Sequence, residues 1–230
     1  MTEEDDLRER QKSPFAEVTS QMLEMTASIE VFRWDEPVGT GSGIVGNEAG
    51  AIVTCAHLAP LRRGEPPPGN AASPYRFFVT VFDKLHDQSG GPRPASVRLY
   101  AREPWDVMIL KVAVQEPRVA LFASQARLYE GDDVTVVGYV WHEGNFLPVV
   151  RRTTLCTVPR ADSPTCFLAD VPAPGMSGGP VFLTEYSRVI GMNQGQLGAD
   201  PSGRIYGLGV MLTAKHIMDL VTQVGGHVQR

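Results

Sequence analysis

Ser177 lies in a short run of glycine and proline that could support nucleophilic catalysis. Three glycines surround the serine within residues 174–180, and a proline stands at each end of the run. Glycine permits backbone angles closed to other residues, and proline keeps the segment from becoming helical. Such a loop can hold a hydroxyl at a tight bend with N–H groups aimed at an oxyanion, as acyl transfer requires. The same composition is also typical of an ordinary turn before a strand at 181–183.

A serine hydroxyl needs a general base near neutral pH, and histidine is the usual one. Among five histidines, His57 stands out because it follows an apolar run at 51–55 that predicts a buried strand. The others fall in predicted polar loops, in the last helix or in the tail: His86, His142, His216 and His227.

The base in turn needs a carboxylate that fixes its tautomer. Asp106 suits that role because it begins an apolar strand at 107–114. Taken alone, His57 is better explained as a strand end and Asp106 as a turn residue or cap. The catalytic interpretation depends on His57, Asp106 and Ser177 occurring together in this order.

Short apolar runs separated by turn signals dominate the chain and predict an all-β sandwich or barrel. A helix is predicted near Pro14, with Val18 and Met22 on its apolar face, and a second over 214–224, where Thr213 can act as the cap. The predicted strands are at 29–34, 40–45, 51–55, 77–82, 97–101, 107–114, 134–140, 149–158, 166–171, 181–183, 189–193 and 205–212.

Composition narrows the class of protein. The net charge is −5 over 230 residues, with no long basic run, which argues against nucleic acid or an anionic membrane as the main partner. No apolar stretch approaches the 18 residues of a membrane span. The acidic first twelve residues do not resemble a signal peptide, so we expect a cytoplasmic location.

Three cysteines, Cys55, Cys156 and Cys166, form an odd, low count that fits a reducing compartment. Cys156 and Cys166 could still meet across neighbouring strands and form one disulfide. No CxxC pair is present, so the sequence predicts no zinc site and no cofactor.

Four blocks of the chain resemble the trypsin/chymotrypsin-like serine proteases, most closely the HtrA/Deg type. They are the glycine-rich residues 40–45, residues 52–57 ending at His57, residues 105–112 with Asp106, and residues 170–181 with Ser177. Weaker matches lie at 131–134, 189–193 and 206–210, so that the resemblance covers roughly residues 28–225. It implies two six-stranded antiparallel β-barrels and a C-terminal helix, with the active site between the barrels.

The chain is expected to divide into two halves, because residues 117–125 have a weak pattern and lie near its middle. Residues 1–27 would form a tail and a short helix, and residues 28–116 the first barrel. The second barrel and the terminal helix would occupy 117–225, followed by a tail at 226–230.

The resemblance implies a serine endopeptidase. His57 would take the proton of Ser177, Asp106 would orient His57, and N–H groups of Gly175, Met176 and Ser177 would form the oxyanion hole.

No acidic residue falls in the S1 pocket that the resemblance implies. Asn193 stands where glutamate-specific relatives carry histidine, so we expect cleavage after small or medium apolar residues. The implied pocket residues are Val171, Pro172, Met192, Asn193, Gln194, Gly207, Leu208 and Gly209.

Two departures from the family pattern bear on regulation. Digestive relatives carry aspartate before the nucleophile, to pair with a freed N-terminus, whereas this chain has Met176. The sequence also ends soon after the predicted helix, so we expect no PDZ domain of the kind usual in HtrA-type proteases. A silent binding or scaffold module and a dedicated processing protease remain alternatives. The expected partners are a protein or peptide substrate and a second copy of the chain or a regulatory protein.

Overall fold

The computed structural model describes residues 14–81, 91–115, 117–159, 163–197 and 207–223. The predicted tails at 1–12 and 226–230 lie outside the described residues, as do His86 and His227. None of the described helices is long and apolar enough to cross a membrane.

The first sheet closes on itself as a barrel. Its strands are β1 (Thr26–Arg33), β2 (Glu36–Val45), β3 (Ala51–Thr54), β4 (Tyr75–Val81), β5 (Arg93–Ala101) and β6 (Val107–Val112). They follow the order β1-β2-β3-β6-β5-β4, and β4 pairs with β1 to complete the circle. Inward-facing side chains such as Ile29, Ile52 and Leu110 are fully buried, which explains why these short runs are apolar.

The second sheet also has six strands. They are β7 (Asp133–His142), β8 (Asn145–Thr154), β9 (Thr165–Leu168), β10 (Pro180–Leu183), β11 (Arg188–Gln196) and β12 (Gly209–Thr213), in the order β8-β7-β10-β11-β12-β9. The two edge strands approach each other, since the Cys156 N–H donates to the Phe167 carbonyl at 2.8 Å and the Ala169 N–H to the Thr154 carbonyl at 2.9 Å. The predicted all-β fold of two six-stranded sheets is therefore confirmed.

Two helices cover the sheets within the described residues. Helix α1 (Pro14–Glu24) begins at a proline, which fits the first turn of a helix. It buries Met22 completely, and the Thr26 hydroxyl donates to the Met22 carbonyl at 2.8 Å where the chain enters β1. Helix α2 (Ala214–Gln223) buries Ile217 and Val221, and it packs against β11 and β12. The C-terminal helix is thus confirmed as well.

Strands β7 and β8 are joined more tightly than the sequence suggested, since we expected strands at 134–140 and 149–158 with a longer loop between them. Glu143 and Gly144 both have positive φ, +48° and +84°, as a two-residue type I′ turn requires. The strands therefore run right up to the turn, where His142 faces Asn145.

The three cysteines are free thiols. Cys156 is exposed, whereas Cys166 is buried in the core of the second sheet. Desolvation raises the pKa of the Cys166 thiol to about 12. The pairing of Cys156 with Cys166 that the sequence left open is not formed.

Candidate active site

His57 is held by a short helix that directly follows strand β3. The 3₁₀ helix Ala56–Leu58 buries Ala56 and Leu58 on either side of the histidine. The imidazole between these two buried residues stays 35% exposed. The strand end therefore fixes the backbone of His57 and leaves its ring accessible.

Asp106 binds both the backbone and the ring of His57. One carboxylate oxygen, Oδ1, accepts the His57 N–H at 2.7 Å, and the other, Oδ2, lies 2.6 Å from Nδ1. A carboxylate is only an acceptor, so Nδ1 carries the proton and Nε2 remains free to accept one. Asp106 has a φ of +52°, a left-handed conformation that aspartate and asparagine tolerate better than most residues.

The loop before Ser177 contains a type II turn. The Met176 N–H donates to the Ala173 carbonyl at 3.1 Å, Pro174 takes the second position, and Gly175 takes the third with a φ of +94°. That φ is the one a type II turn requires at this position, and glycine adopts it without strain. The sequence expectation for Met176 needs correction here, because its N–H is occupied by Ala173 and does not point into an oxyanion hole.

Two backbone donors remain at the loop. Within the described residues, neither the N–H of Gly175 nor that of Ser177 donates to an acceptor. The carbonyl of Met176 is held by the side-chain amide of Asn193 at 2.8 Å and by the Gly179 N–H at 3.0 Å. Because the C=O and N–H of a trans peptide point in opposite directions, these bonds also orient the Ser177 N–H.

The serine loop docks directly on the first barrel. Gly178 has a φ of +86°, and a Cβ at this position would lie 2.2 Å from both the Ser42 carbonyl and the Thr54 hydroxyl. The loop therefore contacts the chain three residues before His57. Among the described residues, no hydrogen bond joins the Ser177 hydroxyl to the imidazole. Such bonds are often long in ligand-free enzymes and tighten when substrate binds.

The residues expected to line the S1 pocket lie in two parts of the second sheet, and the first group lies at or before β12. Pro172 is buried next to β12, where a Cβ on Gly209 would lie 3.0 Å from the Pro172 ring. Val171 is half-buried, and its carbonyl accepts the Arg151 guanidinium at 2.8 Å. Gly207 and Leu208 directly precede β12.

The other expected pocket residues lie on β11. Met192 is fully buried in the core, and the amide nitrogen of Gln194 donates to the Trp105 carbonyl at 2.7 Å. Asn193 is fully buried; its amide nitrogen binds Met176 and its oxygen accepts the Gly195 N–H at 3.0 Å. Both polar ends of Asn193 are thus used within the protein, so the side chain supports the serine loop.

Cys55 lies buried at the candidate site, although the sequence analysis did not propose it as a site residue. Its sulfur, one ring nitrogen of His57 and one carboxylate oxygen of Asp106 all lie within 4.8 Å of one another. Complete burial, followed by the charge of Asp106, raises the pKa of the Cys55 thiol well above its usual value. The thiol donates to the Asn193 carbonyl at 3.4 Å, and the Asp106 carboxylate contacts the His57 ring, so these groups already have partners within the protein.

Trp105, the residue before Asp106, packs against His216 of helix α2 with its ring tilted. The ring centroids are 3.9 Å apart with an interplanar angle of 52°. The His216 Nε2 is buried and has no hydrogen-bond partner in the described parts of the chain. Desolvation lowers the pKa of His216 below its ordinary value. No local sequence signal identifies this contact.

The packing of His216 against Trp105 should make stability depend on pH. Because the folded protein disfavours the charged imidazole, the unfolded chain binds more protons below pH of about 6.5, and the free energy of unfolding should fall as pH falls through that value. Replacing His216 with phenylalanine keeps an aromatic ring against Trp105 and removes the proton site. We expect a smaller loss of unfolding free energy between pH 7.5 and 5.5 in H216F than in wild type, measured by urea denaturation. Equal losses in the two proteins would contradict this.

Comparison with known families agrees with this geometry. Residues 41–192, about two thirds of the chain, match the family model described as the trypsin-like peptidase domain. The matched span includes His57, Asp106 and Ser177. No curated protein shows a significant match to the chain.

Proposed function

This chain belongs to the trypsin-like peptidase family, and from that premise we propose that it is a serine endopeptidase acting through His57, Asp106 and Ser177. The observation that carries the proposal is the 2.6 Å contact between His57 Nδ1 and Asp106 Oδ2. It accompanies a serine loop with two N–H groups that have no acceptor in the described parts of the chain. This contact leaves the imidazole with Nε2 as its basic atom. A base of that kind is what a serine nucleophile needs.

In the proposed reaction, Ser177 Oγ attacks the carbonyl carbon of the scissile peptide bond while His57 Nε2 takes the hydroxyl proton. The oxyanion that forms accepts hydrogen bonds from the N–H groups of Gly175 and Ser177. The C–N bond then breaks, and the imidazolium gives its proton to the leaving amine. Water attacks the acyl-enzyme in the same way and regenerates Ser177.

We further propose that the S1 pocket takes a small or medium apolar side chain. Val171 and Pro172 offer apolar surface, and Asp170, the acidic residue beside them, lies 3.4 Å from the guanidinium of Arg151. A paired carboxylate is a weaker attraction for a substrate lysine or arginine. We also assign the chain to the HtrA/Deg-like subtype, with barrels at residues 28–116 and 117–225 and a protein or peptide as substrate.

A fluorophosphonate probe tests this proposal. We expect the folded protein to be labelled once, at Ser177, as mapped by mass spectrometry of the digested adduct. Protein unfolded by heat before the probe is added serves as the control and should remain unlabelled. A peptide library then identifies the cleaved bond and its P1 residue. Labelling at another serine, or none in the folded protein, would refute the proposed chemistry.

A second candidate function is a protease-like binding module without turnover. The lack of a hydrogen bond between the Ser177 hydroxyl and the His57 ring, within the described residues, favours it. Such a module would bind a peptide stoichiometrically and leave it intact, without reacting with the probe. The labelling experiment therefore separates the two candidates.

A further inference from the structure

Ser42 connects the first barrel to the loop that carries the nucleophile. It lies in β2, within the glycine-rich block at 40–45, and it is fully buried. Its hydroxyl donates to the Gly175 carbonyl at 2.9 Å and accepts the Tyr139 N–H at 2.8 Å. Its own N–H donates to the Ser177 carbonyl at 2.8 Å. A single residue of the first barrel thus binds both ends of the segment 175–177.

This segment bears both donors of the proposed oxyanion hole. An oxyanion hole works only when its donors lie about 2.7–3.1 Å from the developing negative charge. The peptide between Gly175 and Met176 is fixed at its carbonyl by Ser42 and at its N–H by Ala173. The carbonyl of Ser177 is fixed by the Ser42 backbone. Ser42 thus holds the two peptides that directly follow the Gly175 N–H and the Ser177 N–H, so the spacing of these donors depends on it.

We propose that Ser42 is a positioning residue that sets the geometry of the oxyanion hole from the opposite barrel. This inference rests on the proposed peptidase function. The backbone bond to Ser177 survives any change of side chain, whereas the bond to Gly175 needs the hydroxyl. Loss of the hydroxyl leaves the Gly175 carbonyl without its partner. Among the described residues, only the bond from the Met176 N–H to Ala173 then restrains the 175–176 peptide, which directly follows the Gly175 N–H, so that this N–H can shift.

The side chain of Ser42 has a matched control in the neighbouring strand. Ser28 lies directly opposite Ser42 in the pairing of β1 with β2, and it is 1% exposed. Its hydroxyl is buried and has no hydrogen-bond partner within the described residues. Ser28→Ala therefore removes an equally buried hydroxyl without breaking a bond.

The experiment compares wild type, S42A and S28A on one peptide substrate. We expect kcat of S42A to fall by about 10²-fold, the lower end of the cost of losing one oxyanion donor, with KM little changed. A peptide aldehyde forms a tetrahedral adduct with its oxygen in the hole, so its affinity should fall by a similar factor. The affinity of a product peptide, which forms no adduct, should stay at the wild-type value. S28A should match wild type in all of these measurements.

Several results would overturn the role of Ser42. One such result is an equal kcat in S42A and S28A. Another is a kcat of S42A below that of wild type together with an unchanged affinity for the peptide aldehyde. Should S42A fail to fold, S42C takes its place, because cysteine fills the site but donates weakly, and the same criteria apply. Absence of turnover in wild type would instead refute the peptidase function on which the inference rests.

Discussion

Replacement of Ser177 with alanine is expected to lower kcat by about 10⁶-fold, the scale measured when the nucleophile of a serine protease is removed. The imidazole of His57 then has no hydroxyl to deprotonate, and no acyl-enzyme can form. The remaining activity would come from substrate binding and from the N–H groups of Gly175 and Ser177, which stay in the backbone. The measurement is kcat on a peptide taken from the library.

Ser96→Ala is a suitable control for this variant because Ser96 is exposed on β5 of the first barrel. It should retain the wild-type kcat. Thermal unfolding of S177A should match wild type, which separates a lost nucleophile from a lost fold. A folded S177A that retains a tenth or more of the wild-type kcat would exclude Ser177 as the nucleophile.

Local sequence signals were sufficient to predict the candidate site residues that lie next to strand ends. His57 lies three residues after the end of the buried strand β3, and Asp106 comes directly before the buried strand β6. Their contact follows from the barrel itself, because β3 and β6 are neighbours and Thr54 faces Met108. The glycines of the serine loop were equally informative, since Gly175 and Gly178 both have a positive φ.

Contacts between distant parts of the chain could not be predicted in this way. The Ser42 hydroxyl meets a carbonyl 133 residues further along the chain, and no local pattern encodes that pairing. Asn193 lies in an apolar strand, which gave no sign that its amide would bind the Met176 carbonyl. The turn hydrogen bond of the Met176 N–H depends on the backbone angles of Gly175, which composition allows but does not fix.

Asp106→Asn is expected to lower kcat by about 10⁴-fold, because it forces the wrong tautomer on His57. The His57 N–H needs an acceptor at the Oδ1 position, so the amide oxygen must stay there. The NH₂ group then faces Nδ1 and donates to it, which leaves the ring proton on Nε2. A protonated Nε2 cannot accept the hydroxyl proton of Ser177. The comparison requires kcat of wild type and D106N on the same peptide.

Asparagine is the informative replacement because it preserves the backbone as well as the size of the side chain. Asp106 has a φ of +52°, which asparagine also tolerates, whereas alanine would add strain. Asp35→Asn is the matched control, since that aspartate is 95% exposed and pairs with Arg76 on the surface of the same barrel. D35N should have the wild-type kcat. If D106N folds and its kcat stays within tenfold of wild type, Asp106 does not control the tautomer of His57 and a different group must orient the base.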